Sequence, residues 1–262
     1  MNTSITSRTI LFVTGAFVTN ESWQEWKNYF ESRGYTTHNP AWPHKDASPA
    51  VLRQRNPDKA IASNQLKNVV DHYEQFARSL PEKPIAIGHS FGGLVTQLLL
   101  GRGVIEAGVA VHSAPPQGLL SLKPSFFRAN WKNFGLFTDL DKSNLMSFSD
   151  WQYAFTNGLP LDVQRKSYEA NVLPESKRLF RTALTSQAKV DYTKPHGPLL
   201  FTAGTTDHIV PLSMNRTNYK KYVNGKGGVV AFKAFEGRNH YVVGQEGWQD
   251  VAGYIHEWLQ KQ

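Results

Sequence analysis

No cysteine occurs among the 262 residues. That absence excludes disulfides, thiol catalysis and cysteine-ligated zinc together, so any nucleophile must be of another type. Long apolar runs are missing too. Residues 1–8 are polar and lack a basic segment followed by an apolar stretch, and the run at 10–13 is far too short for a signal peptide or a membrane span. A cytoplasmic location with no membrane span is expected. Although the net charge is +8, the densest basic cluster, Lys220 and Lys221 near Lys226, is small and interleaved with neutral residues. Such a balance reads as solvated basic faces, and no nucleic-acid partner is expected. No histidine has a partner at metal-ligand spacing, so neither a catalytic metal nor a cofactor is expected.

What remains is an ordinary globular composition, 40% hydrophobic and 19% charged, at a length that suits one α/β domain with an insertion. Short apolar runs alternate with segments of helical period. Strands are predicted at 9–14, 35–39, 84–88, 106–112, 198–203 and 229–235, and helices at 22–33, 58–80, 91–100, 213–223 and 247–260. Ser22 is the expected N-cap of the first helix and Gly34 its end. The second helix carries Leu66, Val69, Val70, Tyr73, Phe76, Ala77 and Leu80 at steps of three and four, one face turned to a sheet. Parallel neighbours need crossovers and helices supply them, so a mostly parallel sheet of about six strands, helices on both faces, is expected. Between 117 and 194 the rhythm breaks into an aromatic-rich stretch without strands. This gives a core of residues 1–116 and 195–262 and a helical cap insertion of residues 117–194.

One stretch calls for a chemical explanation. In KPIAIGHSFGGLVTQLLL, residues 83–100, a predicted strand meets a predicted helix through Gly88-His89-Ser90-Phe91-Gly92. This is G-x-S-x-G, in which a serine held in a strained turn needs neighbours without side chains two positions before and after it. The helix N-terminus behind Ser90 favours developing negative charge. A serine nucleophile needs a base, and the base an orienting acid. The strand at 198–203 runs into Gly204-Thr205-Thr206-Asp207-His208-Ile209-Val210-Pro211, and the strand ending near Phe235 runs into Glu236-Gly237-Arg238-Asn239-His240. Asp207 and His240 therefore follow carboxyl ends of strands, as Ser90 does, in the chain order Ser, Asp, His.

Taken singly, each element has a plainer explanation. Ser90 could serve a glycine-rich turn, and Asp207 a helix N-cap or surface turn. Asp191, the replacement acid, precedes its strand and so belongs at the wrong end of the sheet. His89 fits a supporting role in the turn, His208 an exposed one, and His112, at a strand end, either the pocket border or a hydrogen-bonded structural place.

Together, the elbow, the G-x-x-D-x-x-V-P loop and the late histidine resemble the α/β-hydrolase superfamily, in its serine esterase or lipase-like form with a helical cap, over all of the chain but the insertion. The resemblance implies a Ser90, Asp207, His240 triad and an oxyanion hole formed by the backbone N–H groups of Ala16 and Phe91. Phe17 is the alternative donor if the loop is shifted by one. Thr14 stands where many relatives have histidine, and the family's first two strands are missing. Phe17 and Trp42 are the expected substrate-binding residues. The implied activity is hydrolysis of a carboxylic ester or related acyl compound, on a small, partly hydrophobic substrate. Thioester, lactone and C–C cleavage and acyl transfer use the same triad, and a non-catalytic ligand receptor on this fold is the rival from another class.

Overall fold

A computed structural model describes residues 4–121, 123–134 and 138–262. Leu122 and residues 135–137 of the expected insertion lie outside the described residues. Six strands, β1 (Thr9–Val13), β2 (Thr36–His38), β3 (Ile85–His89), β4 (Ala107–Val111), β5 (Leu199–Gly204) and β6 (Val230–Phe235), form one sheet in the order β2-β1-β3-β4-β5-β6. Every pairing is parallel. The inner strands β1, β3, β4 and β5 are buried throughout, whereas β2 and β6 at the edges are partly exposed. Continuous apolar runs therefore mark the centre of the sheet and mixed ones its margins.

The helices are α1 (Gln24–Glu31), α2 (Pro49–Gln54), α3 (Lys59–Ala62), α4 (Leu66–Ser79), α5 (Phe91–Arg102), α6 (Pro124–Phe134), α7 (Phe148–Ala154), α8 (Leu161–Asn171), α9 (Lys177–Thr182), α10 (Leu212–Gly225) and α11 (Trp248–Gln260). Side chains alternate across the sheet. Leu11, Val13, Ala86, Ala110 and Phe201 meet Leu66, Val69 and Tyr73 of α4 and Leu94 of α5 on one face. Ile10, Phe12, Ile87, Val109 and Leu200 meet Trp26 and Phe30 of α1 and Val251 and Ile255 of α11 on the other. Among the described residues no helix is long and apolar enough to cross a membrane.

Two predicted helices differ from the observed ones. The segment 58–80 is broken at 63–65, because Ser176 Oγ donates to the carbonyls of Ala62 and Asn64 and Asn64 Nδ2 donates to Pro43 O. Those tertiary bonds replace helical ones. The segment 22–33 opens as a 3₁₀ turn, Asn20–Trp23, capped by the Thr19 side chain; Ser22 lies inside the turn.

Register sets the site. Val13 pairs with Gly88, His89 with Val111, Val111 with Thr202 and Gly204 with Phe235, so the carboxyl ends of β1, β3, β4, β5 and β6 lie side by side. The loops leaving these ends carry Ala16, Ser90, His112, Asp207 and His240.

Candidate active site

Ser90 joins β3 to α5 with φ +56° and ψ −120°, a conformation that costs any residue with a Cβ. The flanking glycines show what the turn demands. A Cβ on Gly88 would stand 2.1 Å from Gly92 O, and one on Gly92 would stand 1.9 Å from Val13 O. Helix α5 thus begins hard against the end of β1. The same crowding brings the loop after β1 to the serine, where a Cβ on Gly15 would be 3.0 Å from Ser90 Cβ. Ser90 N–H donates to Val111 O at 3.0 Å, and Ser90 O accepts from Gly93 and Ala114.

His240 Nε2 lies 2.9 Å from Ser90 Oγ, and His240 Nδ1 lies 2.7 Å from Asp207 Oδ2. All three residues are buried. An ionised carboxylate only accepts hydrogen bonds, so Nδ1 of His240 carries the proton and Nε2 accepts from the Ser90 hydroxyl. Asp207 Oδ1 accepts from the backbone N–H groups of Ile209 (2.9 Å) and Val210 (2.8 Å). Burial alone would raise the Asp207 carboxyl. The charge of His240 and the hydrogen bonds from His112 and His240 overcome that and hold it well below the usual carboxylate range.

Two further imidazoles adjoin the set. The ring of His89 bonds through Nε2 to His240 O at 2.9 Å, and burial, with His240 and His112 nearby, keeps it well below an ordinary imidazole pKa. His112 Nδ1 lies 3.1 Å from Asp207 Oδ2, the oxygen that also faces His240. Spacing along the chain suggested no metal-ligand set, yet His112, Asp207 and His240 offer three ligand atoms within 4.8 Å of one another. Those atoms are engaged in the hydrogen bonds just described, with the carboxylate oxygen as their hub. His208 instead turns Nδ1 to Tyr153 O at 2.8 Å, and Asp191 is exposed and bonded to Thr193.

In the loop after β1, the Phe17 N–H donates to Glu175 Oε2 at 3.0 Å. This occupies the alternative oxyanion donor and leaves Ala16 as the loop's remaining candidate beside Phe91. Lys45 pairs with the same Glu175 oxygen, both side chains buried. Burial pulls the Lys45 ammonium down, and Glu175 beside it opposes the shift. Nothing in the sequence pointed to this pair, whose members are 130 residues apart. Trp42 lies behind the same loop, with Nε1 donating to Thr14 O at 3.1 Å.

Aromatic side chains close the region. The Phe180 ring meets Phe91 edge-on at 5.0 Å and Phe17 at 5.7 Å, and the Phe155 ring stands 4.9 Å from that of His240. A void beside Gly15 and His89 measures only about 10 Å³, too little for substrate. The larger cavity of about 570 Å³, around Arg102 and Lys194, lies at the opposite edge of the sheet and has no part in this geometry.

A sequence model described as "Alpha/beta hydrolase family" matches residues 10–253. No curated protein sequence matches the chain. Among solved structures, the chain is similar to the monoacylglycerol lipase of Paleococcus ferrophilus, with a TM-score of 0.70 and 19% identity over 97% of this chain and 94% of that one. It is also similar to the Arabidopsis methylesterase MES16, with a TM-score of 0.66 and 14% identity over 97% and 99%. Tomato methylketone synthase I, solved with 2-tridecanone, gives 0.65 and 13% over 98% and 99%. At these identities the likeness is one of fold.

Proposed function

The chain belongs to the alpha/beta hydrolase family, and on that premise we propose that it is a serine hydrolase cleaving carboxylic esters or related acyl compounds through Ser90, His240 and Asp207. The reading is carried by the hydrogen-bonded line from Ser90 Oγ to His240 Nε2 (2.9 Å) and from His240 Nδ1 to Asp207 Oδ2 (2.7 Å). Esterase and lipase names among similar structures favour an ester over other acyl compounds.

In this mechanism Ser90 Oγ attacks the carbonyl carbon while its proton passes to His240 Nε2. Asp207 keeps the proton on Nδ1 and stabilises the imidazolium without taking a proton itself. The N–H groups of Ala16 and Phe91 hold the oxyanion, aided by the N-terminus of α5. His240 then protonates the departing alcohol; in the second half it takes a proton from the water that attacks the acyl carbon and returns it to Ser90 Oγ as the Oγ–acyl bond breaks, so the carboxylic acid leaves and the serine is restored. Segment 117–194 serves as the cap, since Phe155 and Phe180 within it touch His240 and Phe91. That apolar border fits hydrophobic acyl or alkyl groups.

The test is hydrolysis of p-nitrophenyl esters of graded chain length, with mass-spectrometric location of a fluorophosphonate adduct. Expected are an adduct on Ser90 and a loss of ~10⁴- to 10⁶-fold in kcat for Ser90→Ala. Turnover that survives Ser90→Ala, or ligand-induced stabilisation with no turnover in the wild type, would sink it.

A further inference from the structure

The backbone at the carboxyl edge is strained at more than the serine. His112, the residue after β4, has φ +46°, a left-handed value that costs a non-glycine residue unless the surroundings enforce it. Its ring is wedged against the end of β5, where a Cβ on Gly204 would come within 2.6 Å of His112 Cε1. The side chain is completely buried. Its Nδ1 reaches Asp207 Oδ2 at 3.1 Å, while Nε2 is buried with no hydrogen-bond partner among the described residues.

The carboxylate fixes the chemistry of this ring. Asp207 accepts, so His112 Nδ1 must donate. A second proton on Nε2 would be a buried donor without an acceptor, so the ring is held neutral with Nε2 bare. Burial acts in the same direction, pulling the His112 pKa down against the pull of Asp207. An orphaned buried nitrogen and a strained backbone are both unfavourable, and the arrangement they accompany is one hydrogen bond to the oxygen that orients His240. Asp207 is thereby filled on both sides: Ile209 and Val210 N–H on Oδ1, His112 and His240 on Oδ2.

We infer that His112 is a positioning residue of the active site, a second imidazole that fixes Asp207 Oδ2 and so sets the line along which His240 meets Ser90. The inference rests on the proposed serine hydrolase mechanism for its kinetic consequence, but not for its structural one. With His112 in place, Oδ2 divides its acceptor strength between two N–H groups and cannot swing. Without it, the oxygen binds His240 alone and gains a direction in which to move.

The test compares His112→Leu, which removes the donor at similar volume, with His112→Asn, whose Nδ2 falls near the place of Nδ1 and which tolerates left-handed backbone. His112→Gln sets its amide one bond too far. Expected for His112→Leu is a drop of about 10- to 100-fold in kcat with little change in KM, on the scale that losing the outer hydrogen-bond partner of a metal-ligating imidazole or carboxylate costs. His112→Asn should recover most of that loss and His112→Gln little. The downfield NMR signal of the His240 Nδ1 proton should move further downfield in His112→Leu and return in His112→Asn. Equal rates for the Leu and Asn variants, or an unmoved signal, overturns the inference. If His112→Leu does not fold, the Asn and Gln variants decide it by the same two readings. The proton signal needs no turnover, so an inactive wild type would refute the hydrolase mechanism while the signal still decided the place of His112.

Discussion

Phe17 and Glu175 are joined by a hydrogen bond from backbone N–H to carboxylate, 3.0 Å long, between the loop after β1 and the segment that follows α8. The contact is part of a seam: Thr19 N–H donates to Asn171 O, Leu173 N–H donates to Phe17 O, and Val18 pairs with Val172 as an antiparallel bridge. A carboxylate one residue from a proposed oxyanion donor would oppose negative charge there. Lys45, paired with the same oxygen, offsets it.

Lys45 and Glu175 should therefore behave as one unit in stability. Lys45→Met leaves a buried carboxylate without its cation, and a loss of about 3 to 5 kcal/mol is expected. Adding Glu175→Gln removes the orphaned charge while keeping an acceptor for Phe17 N–H, so the double variant should be more stable than Lys45→Met alone. Urea unfolding of the four proteins measures the coupling. Strictly additive losses would show that the two side chains do not act together.

Ser90 should carry a stability cost separable from its chemistry. Its φ of +56° with ψ −120° suits glycine far better than any residue with a Cβ. Ser90→Gly and Ser90→Ala both remove the proposed nucleophile, but only the former relaxes the backbone. Ser90→Gly should unfold later than Ser90→Ala by about 1 to 3 kcal/mol, read from thermal denaturation of both. Equal stabilities would mean that the elbow is not strained.

Much of this geometry was legible in the chain because it is written locally. Runs such as TILFV and LLFTAG, separated by helical periods, specify buried parallel strands, and the glycines two places either side of Ser90 mark the turn in the sequence itself, although the space Gly92 leaves is filled by Val13 O from a distant strand. The edge bearing Asp207 and His240 follows from topology, since each lies just past a strand. Other features depend on partners distant in sequence. The break at 63–65 is made by Ser176, the occupancy of Phe17 N–H by Glu175, and the partnership of His112 with Asp207 by the register of β4 on β5. A β-branched or amphipathic pattern carries no record of such pairs. As a strand-terminal histidine His112 fits either a pocket border or a hydrogen-bonded structural place, and it is the register of β4 on β5 that brings it to Asp207.

The buried imidazoles should make the fold acid-sensitive well above the carboxylate range. His89 and His112 both have pKa values lowered in the folded state, chiefly by burial. Between those values and about 6.5 the unfolded chain binds more protons, so stability rises with pH across that window and falls as pH drops below about 6.5. Asp207, also depressed, adds a further loss only below about 4, where the unfolded carboxyl takes up its proton. His89→Gln keeps a donor near His240 O but does not titrate. Its stability should decline less steeply than that of the wild type between about pH 6.5 and 5. Parallel curves from urea titrations at each pH would place the acid sensitivity elsewhere.

Phe180 should govern how much acyl chain the site admits. Its ring is in contact with that of Phe91, the residue after Ser90, and with that of Phe17 in the loop after β1, and the void beside Gly15 and His89 measures only about 10 Å³. An acyl chain lying on this side of the proposed site would take space that the Phe180 ring now fills. Phe180→Ala creates that space beside both residues, at a stability cost of about 3 to 5 kcal/mol for a buried ring. Relative to p-nitrophenyl acetate, kcat/KM for longer acyl esters should rise about tenfold or more in the variant, as expected for apolar groups that gain a pocket. Measured at a temperature where both proteins are folded, the ratio of long to short esters is independent of the fraction of active enzyme. An unchanged ratio would place the acyl chain elsewhere, along the Phe155 side of His240.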